Sequence, residues 1–143
     1  MALWHVLEHL QDPVRIIGEA SKRLKANGVL ILAMPNPQSL QFKIFGRRWV
    51  HLDSPRHTSL MNPLALSEAL HKYGLYLDEL TYRDAGSLGW NRFGWVHSLR
   101  NLFKNRLLRV VAHCIGRALE VFLAPLERSG CRGAAYTLIL RKG

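Results

Sequence analysis

Acidic side chains are scarce in this chain. Its 143 residues hold ten Asp and Glu against twenty Lys and Arg, a formal net charge of +10. The deficit is local: residues 1–91 carry ten Lys/Arg against eight Asp/Glu, whereas residues 92–143 carry ten against two. A basic pI spread this unevenly does not mark the whole chain as a nucleic-acid binder, and no specific nucleic-acid partner is expected. Cysteine is nearly absent too. Cys114 and Cys131 have neither a metal-ligand spacing nor the density of a disulfide framework, which leaves reduced thiols in a cytoplasmic protein. Met1–Leu10 contains Glu8 and two histidines and has no sustained apolar core, so it does not read as a signal peptide. Internal repeats and low-complexity tracts are missing as well.

What is present supports one core. A 48% hydrophobic chain of this length reads as a single domain over residues 1–143. "MALWHVL" is a short apolar run that suits a strand. Asp12-Pro13 then predicts a helix start, with Asp as N-cap and Pro at the first helical position. Val14, Ile17, Ala20 and Leu24 repeat at helical spacing, and Asn27-Gly28 closes the helix. "VLILAM" is continuous and apolar, as expected of a parallel strand covered on both faces. Asn62-Pro63 repeats the cap signal for a helix to about Tyr73, and "LYLDELTYR" is the next strand. This alternation predicts an α/β domain with a largely parallel sheet. "AAYTLILRK" closes the chain as a strand expected to run antiparallel to the one before it.

Residues 92–128 break the rhythm and read as a basic helical insertion. Within "NRLLRVVAHCIGRALEVFLAPLE", Arg106, Arg109, His113, Arg117, Glu120 and Glu127 form one narrow polar stripe on an otherwise apolar cylinder. The interior charges and Pro125 argue against a membrane span. Two readings remain: a helix buried on most sides, in its own core or against a partner chain, or one lying in a membrane interface with its cations at anionic headgroups. The second would make the protein a peripheral membrane contact, and the alternative to an enzyme is a non-enzymatic basic module binding a membrane surface or nucleic acid through residues 92–128.

Chemistry-bearing residues gather in two places. His5, Glu8 and His9 follow the first strand, and in open α/β sheets ligands bind at the carboxyl ends of strands. H-x-x-E-H also matches a zinc-protease pattern, but Asp12-Pro13 starts the helix after the motif, so His5 and His9 are not expected on one helical face. "FGRRWVHLDSPRH", residues 45–57, follows the second strand and is expected at the same edge. There Arg56 and His57 would pair with a substrate carboxylate or phosphate while Trp49 packs on a ring or alkyl chain; an Arg56–Asp53 salt bridge fixing the loop is the alternative.

"LWHVLEHLQDPVRIIGEASKRLKANGVLILAMPN", then "FGRRWVHLDSPRH" and "NPLALSEALHKYG", resembles the second half of a class I S-adenosylmethionine-dependent methyltransferase, nearest to the ubiquinone-biosynthesis O-methyltransferases. The resemblance implies a Rossmann-like sheet of which the chain supplies strands four to seven, with helices between the last two. It implies S-adenosylmethionine as cofactor, contacted by Trp4, and a small, lipophilic acceptor. Such enzymes hold the cofactor mainly through a glycine-rich loop after strand one and an acidic residue ending strand two. This chain shows neither, so it is expected to be a fragment that binds the cofactor weakly or not at all. It is also expected to self-associate through the open edge of its first strand. The ubiquinone group places a Glu-x-x-Glu-His metal site where this chain has His5, Glu8 and His9, which implies a divalent metal at Glu8 and His9. Without a metal, His5 or His9 would take a proton from the acceptor as general base.

Overall fold

The computed structural model describes residues 1–143, which divide into two compact units. The first comprises Met1–Asn36, Ser54–Thr81 and Tyr136–Gly143, and the second Pro37–Asp53 and Tyr82–Ala135.

The first unit holds the sheet. Strands β1 (Ala2–Trp4), β2 (Val29–Pro35), β3 (Leu75–Thr81) and β4 (Ala135–Lys142) lie in the order β1-β2-β4-β3. β1 and β2 are parallel, with Leu3 opposite Leu32, and β3 and β4 are antiparallel, with Leu80 opposite Leu138. The sequence expectation of an antiparallel last strand is met, and the α/β class with it. Leu30, Leu32 and Met34 of β2 and Leu138 and Leu140 of β4 are fully buried, as their unbroken apolar runs require. β3 is an edge strand with a bulge between Leu77 and Glu79, and most of its side chains face solvent.

Helices α1 (Pro13–Ser21) and α3 (Pro63–His71) pack on each other in this unit. Both start as their caps dictate. The Asp12 carboxylate accepts from Arg15 N at 3.1 Å, and the Asn62 carbonyl accepts from Leu64 N and Ala65 N at 2.9 and 3.2 Å. α1 stops at Ser21, earlier than its periodicity suggests, and the chain turns through Asn27 at φ 59° into β2. The Tyr73 ring occupies the space where a side chain at position 18 would begin, which is why Gly18 sits in the α1 face.

The second unit is helical: α2 (Leu40–Phe45), α4 (Ala85–Arg100) and α5 (Arg106–Arg128). The helical region therefore begins at Ala85 rather than at residue 92, and it takes in residues 37–53. Its core mixes aromatic and polar groups. Gln41 Nε2 donates to Asn91 O and to Glu127 Oε1, both at 2.8 Å, and Gln41 Oε1 accepts from Trp49 Nε1 at 3.2 Å. His51 Nε2 donates to Trp90 O at 3.0 Å, and Asn91 Oδ1 accepts from Ala134 N at 2.6 Å. These partners account for the odd composition of residues 45–53: polar groups in a core are tolerated when paired.

Glu127 is the costly member of that network. Burial pushes its carboxyl above the usual range, the bond from Gln41 and the nearby Trp95 indole oppose this, and the Glu120 charge adds to it. The native state thus holds the Glu127 proton more tightly than the unfolded chain does, so its contribution to stability is lost as pH rises above the ordinary carboxylate value. Glu127→Gln keeps the acceptor for Gln41 and removes the buried charge. Its melting temperature is expected to exceed the wild type's by about 3 °C at pH 8, equivalent to about 1 kcal/mol at this chain length, and the gap is expected to close toward pH 5. A gap of the same size at both pH values in thermal melts would contradict this.

Helix α5 is turned the other way from a core helix. Only Ala112, Gly116 and Glu127 are buried, while Leu107, Val121 and Phe122 are 72%, 67% and 79% exposed. The expectation of a helix buried on most sides fails within this chain. Gly116 explains the orientation: a Cβ there would lie 2.8 Å from Val96 Cα and 3.1 Å from Trp95 O, so the small residues are the ones that let α4 approach. Arg92 pairs with Glu120 across the two helices at 2.8 Å, and Arg117 with Glu120 along α5 at 3.0 Å. No helix of the chain is long and apolar enough to cross a membrane.

Candidate active site

The site lies in the first unit, where β1 ends. The chain leaves the strand through His5, whose φ of 52° is unusual for a residue with a side chain, and enters a 3₁₀ turn at Leu7–His9. His5 and His9 therefore share no helical face, as Asp12-Pro13 implied. His5 Nδ1 donates to Glu8 Oε1 at 3.1 Å. Glu8 is 1% exposed, and its other oxygen, Oε2, is buried with no hydrogen-bond partner. A buried carboxylate oxygen without a partner carries a desolvation cost that a cation or a donor would relieve.

The segment after Pro55 closes the site from the other side. Thr58 N and Ser59 N donate to Glu8 O at 2.7 and 3.2 Å, and Thr58 Oγ1 donates to Leu10 O at 2.9 Å. This backbone staple places His57 against His9, with ring centroids 4.8 Å apart and nearly perpendicular. Ligand atoms of Glu8, His9 and His57 all lie within 4.8 Å of one another. His9 Nδ1 lies 3.1 Å from Arg56 O. A carbonyl can only accept, so Nδ1 carries the proton and Nε2 presents its lone pair. Arg56 thus contributes through its backbone, while its side chain is exposed.

The sequence-predicted residues divide accordingly. His5, Glu8, His9, Arg56 and His57 come together. His57, read from sequence as a substrate contact, joins the carboxylate and imidazole of Glu8 and His9 as a third candidate ligand. No spacing signal pointed to it, because it stands 48 positions from His9 and meets it only through the Thr58–Glu8 staple. Trp4, the last residue of β1, is half exposed. Trp49 is corrected: at 2% exposure, bonded to Gln41 and 5.4 Å from the Phe42 ring, it is a core residue of the helical unit, not a substrate contact.

One oxygen and two nitrogens of this kind suit a divalent cation of zinc-like preference: a buried carboxylate and two imidazoles, one of them already fixed in the ligating tautomer by Arg56 O. The same set without a metal leaves His9 Nε2 as a proton acceptor at the strand end.

Residues 1–80 match the family described as "Methyltransferase domain". A comparison with curated protein sequences finds no match. Among solved structures, the chain is similar to a SAM dependent methyltransferase from Archaeoglobus fulgidus, at 17% identity and a TM-score of 0.50 over 99% of this chain and 57% of that one. It is also similar to the [4+2]-cyclase SpnF, at 16% identity and a TM-score of 0.52 over 99% and 48%. A third similar structure is a sarcosine dimethylglycine methyltransferase, so described, from Galdieria sulphuraria, at 12% identity and a TM-score of 0.51 over 99% and 52%. The chain spans about half the length of these structures, and at such identities the likeness is one of fold. With more than half of its residues matched by the family, the chain belongs to the methyltransferase domain family.

Proposed function

We propose that this chain serves S-adenosylmethionine-dependent methyl transfer to a small, lipophilic acceptor, and that the residues after β1 handle the acceptor's proton. The observation that supports it is the assembly of Glu8, His9 and His57 at the carboxyl end of β1 with Glu8 Oε2 unsatisfied. S-adenosylmethionine, when bound, supplies a methyl group already activated by its sulfonium. What the chain's own residues add is orientation and proton handling. The exposed indole of Trp4 offers a flat apolar face at the strand end where the cofactor is expected. His9 Nε2 accepts the proton of an acceptor hydroxyl, and the Arg56 carbonyl that fixes its tautomer also steadies the charged ring that results. Where a divalent cation is held by Glu8, His9 and His57, it would make the hydroxyl more acidic instead, and the histidines then serve as ligands. The exposed side chain of Arg56, whose backbone bonds to His9, is available to an acceptor that carries a carboxylate or phosphate.

The ubiquinone-type grouping belongs to this reading as its finer form, since "RRW" and "LDSPRH" are the residues that suggested it. SpnF, described as a cyclase, shows that the fold alone does not dictate the reaction. Titration with S-adenosylmethionine decides the cofactor. It is expected to quench Trp4 fluorescence, and the quench is expected to vanish in Trp4→Phe, with the buried Trp49 and Trp95 as internal reference. A saturating titration with no Trp4-dependent signal would overturn the placement of the cofactor.

A further inference from the structure

The apolar face of α5 points away from the helix it packs on. Soluble helices bury their apolar stripe and expose the charged one. Here Ala112 and Gly116 face α4, while another arc of the helix presents Leu107, Val111, Ile115 and Phe122 to solvent, each at least 47% exposed. These four recur at steps of four, four and seven residues, so they form one continuous stripe along the helix.

Val110, 56% exposed, extends that apolar surface to a group of cations. The turn between α4 and α5 forms a cleft of about 500 Å³ lined by Arg100, Lys104, Arg106, Arg109, Val110 and His113. None of its four Lys/Arg side chains takes part in an ion pair. The only acidic residues of α4 and α5 are already committed: Glu120 to Arg92 and Arg117, and Glu127 to Gln41. A concave cluster of unpaired cations beside an exposed apolar stripe has no internal explanation.

We propose that the α4–α5 pair is a docking face for an anionic lipid surface, with the Leu107–Phe122 stripe entering the headgroup–acyl boundary and the Arg100–Arg109 cleft holding lipid phosphates. Charge decides between occupants. A second copy would bring a like cationic cleft against this one with no free carboxylate on either face to meet it. An anionic bilayer supplies both the negative charge and the apolar phase, which is the pairing that interfacial helices use. A nucleic acid would meet the cations but leave Leu107, Val111 and Phe122 in water. The proposal is independent of the methyl-transfer reading, because it concerns only α4 and α5.

The test is co-sedimentation of the full chain with phosphatidylcholine vesicles and with vesicles of phosphatidylcholine and phosphatidylserine. Binding to the anionic vesicles is expected to be at least about tenfold tighter and to weaken as salt is raised. Arg106→Glu with Arg109→Glu is expected to remove that preference, while Phe122→Ser lowers binding to the anionic vesicles by about tenfold with the charge unchanged. All three side chains are exposed, so circular dichroism is expected to be unaltered by either variant. Equal binding to both vesicle types, or loss in the charge variant with none in Phe122→Ser, overturns the proposal. So does a stable dimer that Phe122→Ser dissociates and vesicles do not: the stripe is then a subunit interface. Salt-sensitive binding to RNA that Phe122→Ser leaves intact, with no vesicle binding, overturns it in favour of a nucleic-acid face.

Discussion

Gly116→Leu is expected to lower the melting temperature by about 10 °C, corresponding to about 3 kcal/mol for a chain of this size. The reason is backbone against backbone. A Cβ at position 116 would stand 2.8 Å from Val96 Cα and 3.1 Å from both Trp95 O and Val96 N. None of these can rotate aside, so the two helices must separate. Separation opens Trp95, now 1% exposed, and Val96, now 4% exposed. It also pulls Glu127 from Gln41 along the same helix, leaving two buried polar groups without partners. Gly116→Ala is a useful companion. Its better helix propensity, worth about 1 kcal/mol over glycine, opposes the clash, so its loss is expected to be much smaller than that of leucine. Thermal melts followed by tryptophan fluorescence read both variants. A leucine variant as stable as the wild type would mean that α4 and α5 do not pack as described.

The second large effect concerns metal. Zinc is expected to bind the chain with one-to-one stoichiometry, and His57→Ala is expected to weaken it by about a hundredfold, since a lost ligand costs at least as much as the 10–100-fold typical of an outer partner. His9→Ala is expected to match it. His5→Ala is expected to cost about tenfold at most, because His5 bonds to Glu8 and orients the carboxylate without belonging to the three-residue cluster. Binding is expected to weaken in acid, where imidazole ligands must give up protons to take the metal. Calorimetry with zinc chloride measures all four proteins. If His9→Ala and His57→Ala both bind zinc as the wild type does, the cluster is not a metal site, and His9 stands as a proton acceptor alone.

Much of the first unit was legible because its signals are local. Asp12 and Asn62 bond to backbone N–H groups two or three residues away, so the caps and the prolines behind them state where α1 and α3 begin. β2 and β4 show as unbroken apolar runs because both faces of each are covered. Glu8 and His9 were readable as site residues for a related reason: the end of a strand and the start of a capped helix bracket them within a few positions.

Tertiary structure alone decided three matters. His57 meets His9 because Thr58 N and Ser59 N donate to Glu8 O, bonds that span about fifty residues and leave no periodic trace. Trp49 went into a core because Gln41 accepts from its indole N–H and Phe42 flanks it; the surrounding arginines had suggested a surface loop. The stripe on α5 was visible in its spacing, yet spacing cannot say which stripe faces inward. Apolar residues ordinarily go inside because burial removes them from water. Here Ala112 and Gly116 won the inner face, since only side chains that small let the α5 backbone reach Val96 and Trp95. Hydrogen bonds between near neighbours are written in the order of residues, whereas burial depends on what stands opposite, and that is known only once the chain has folded.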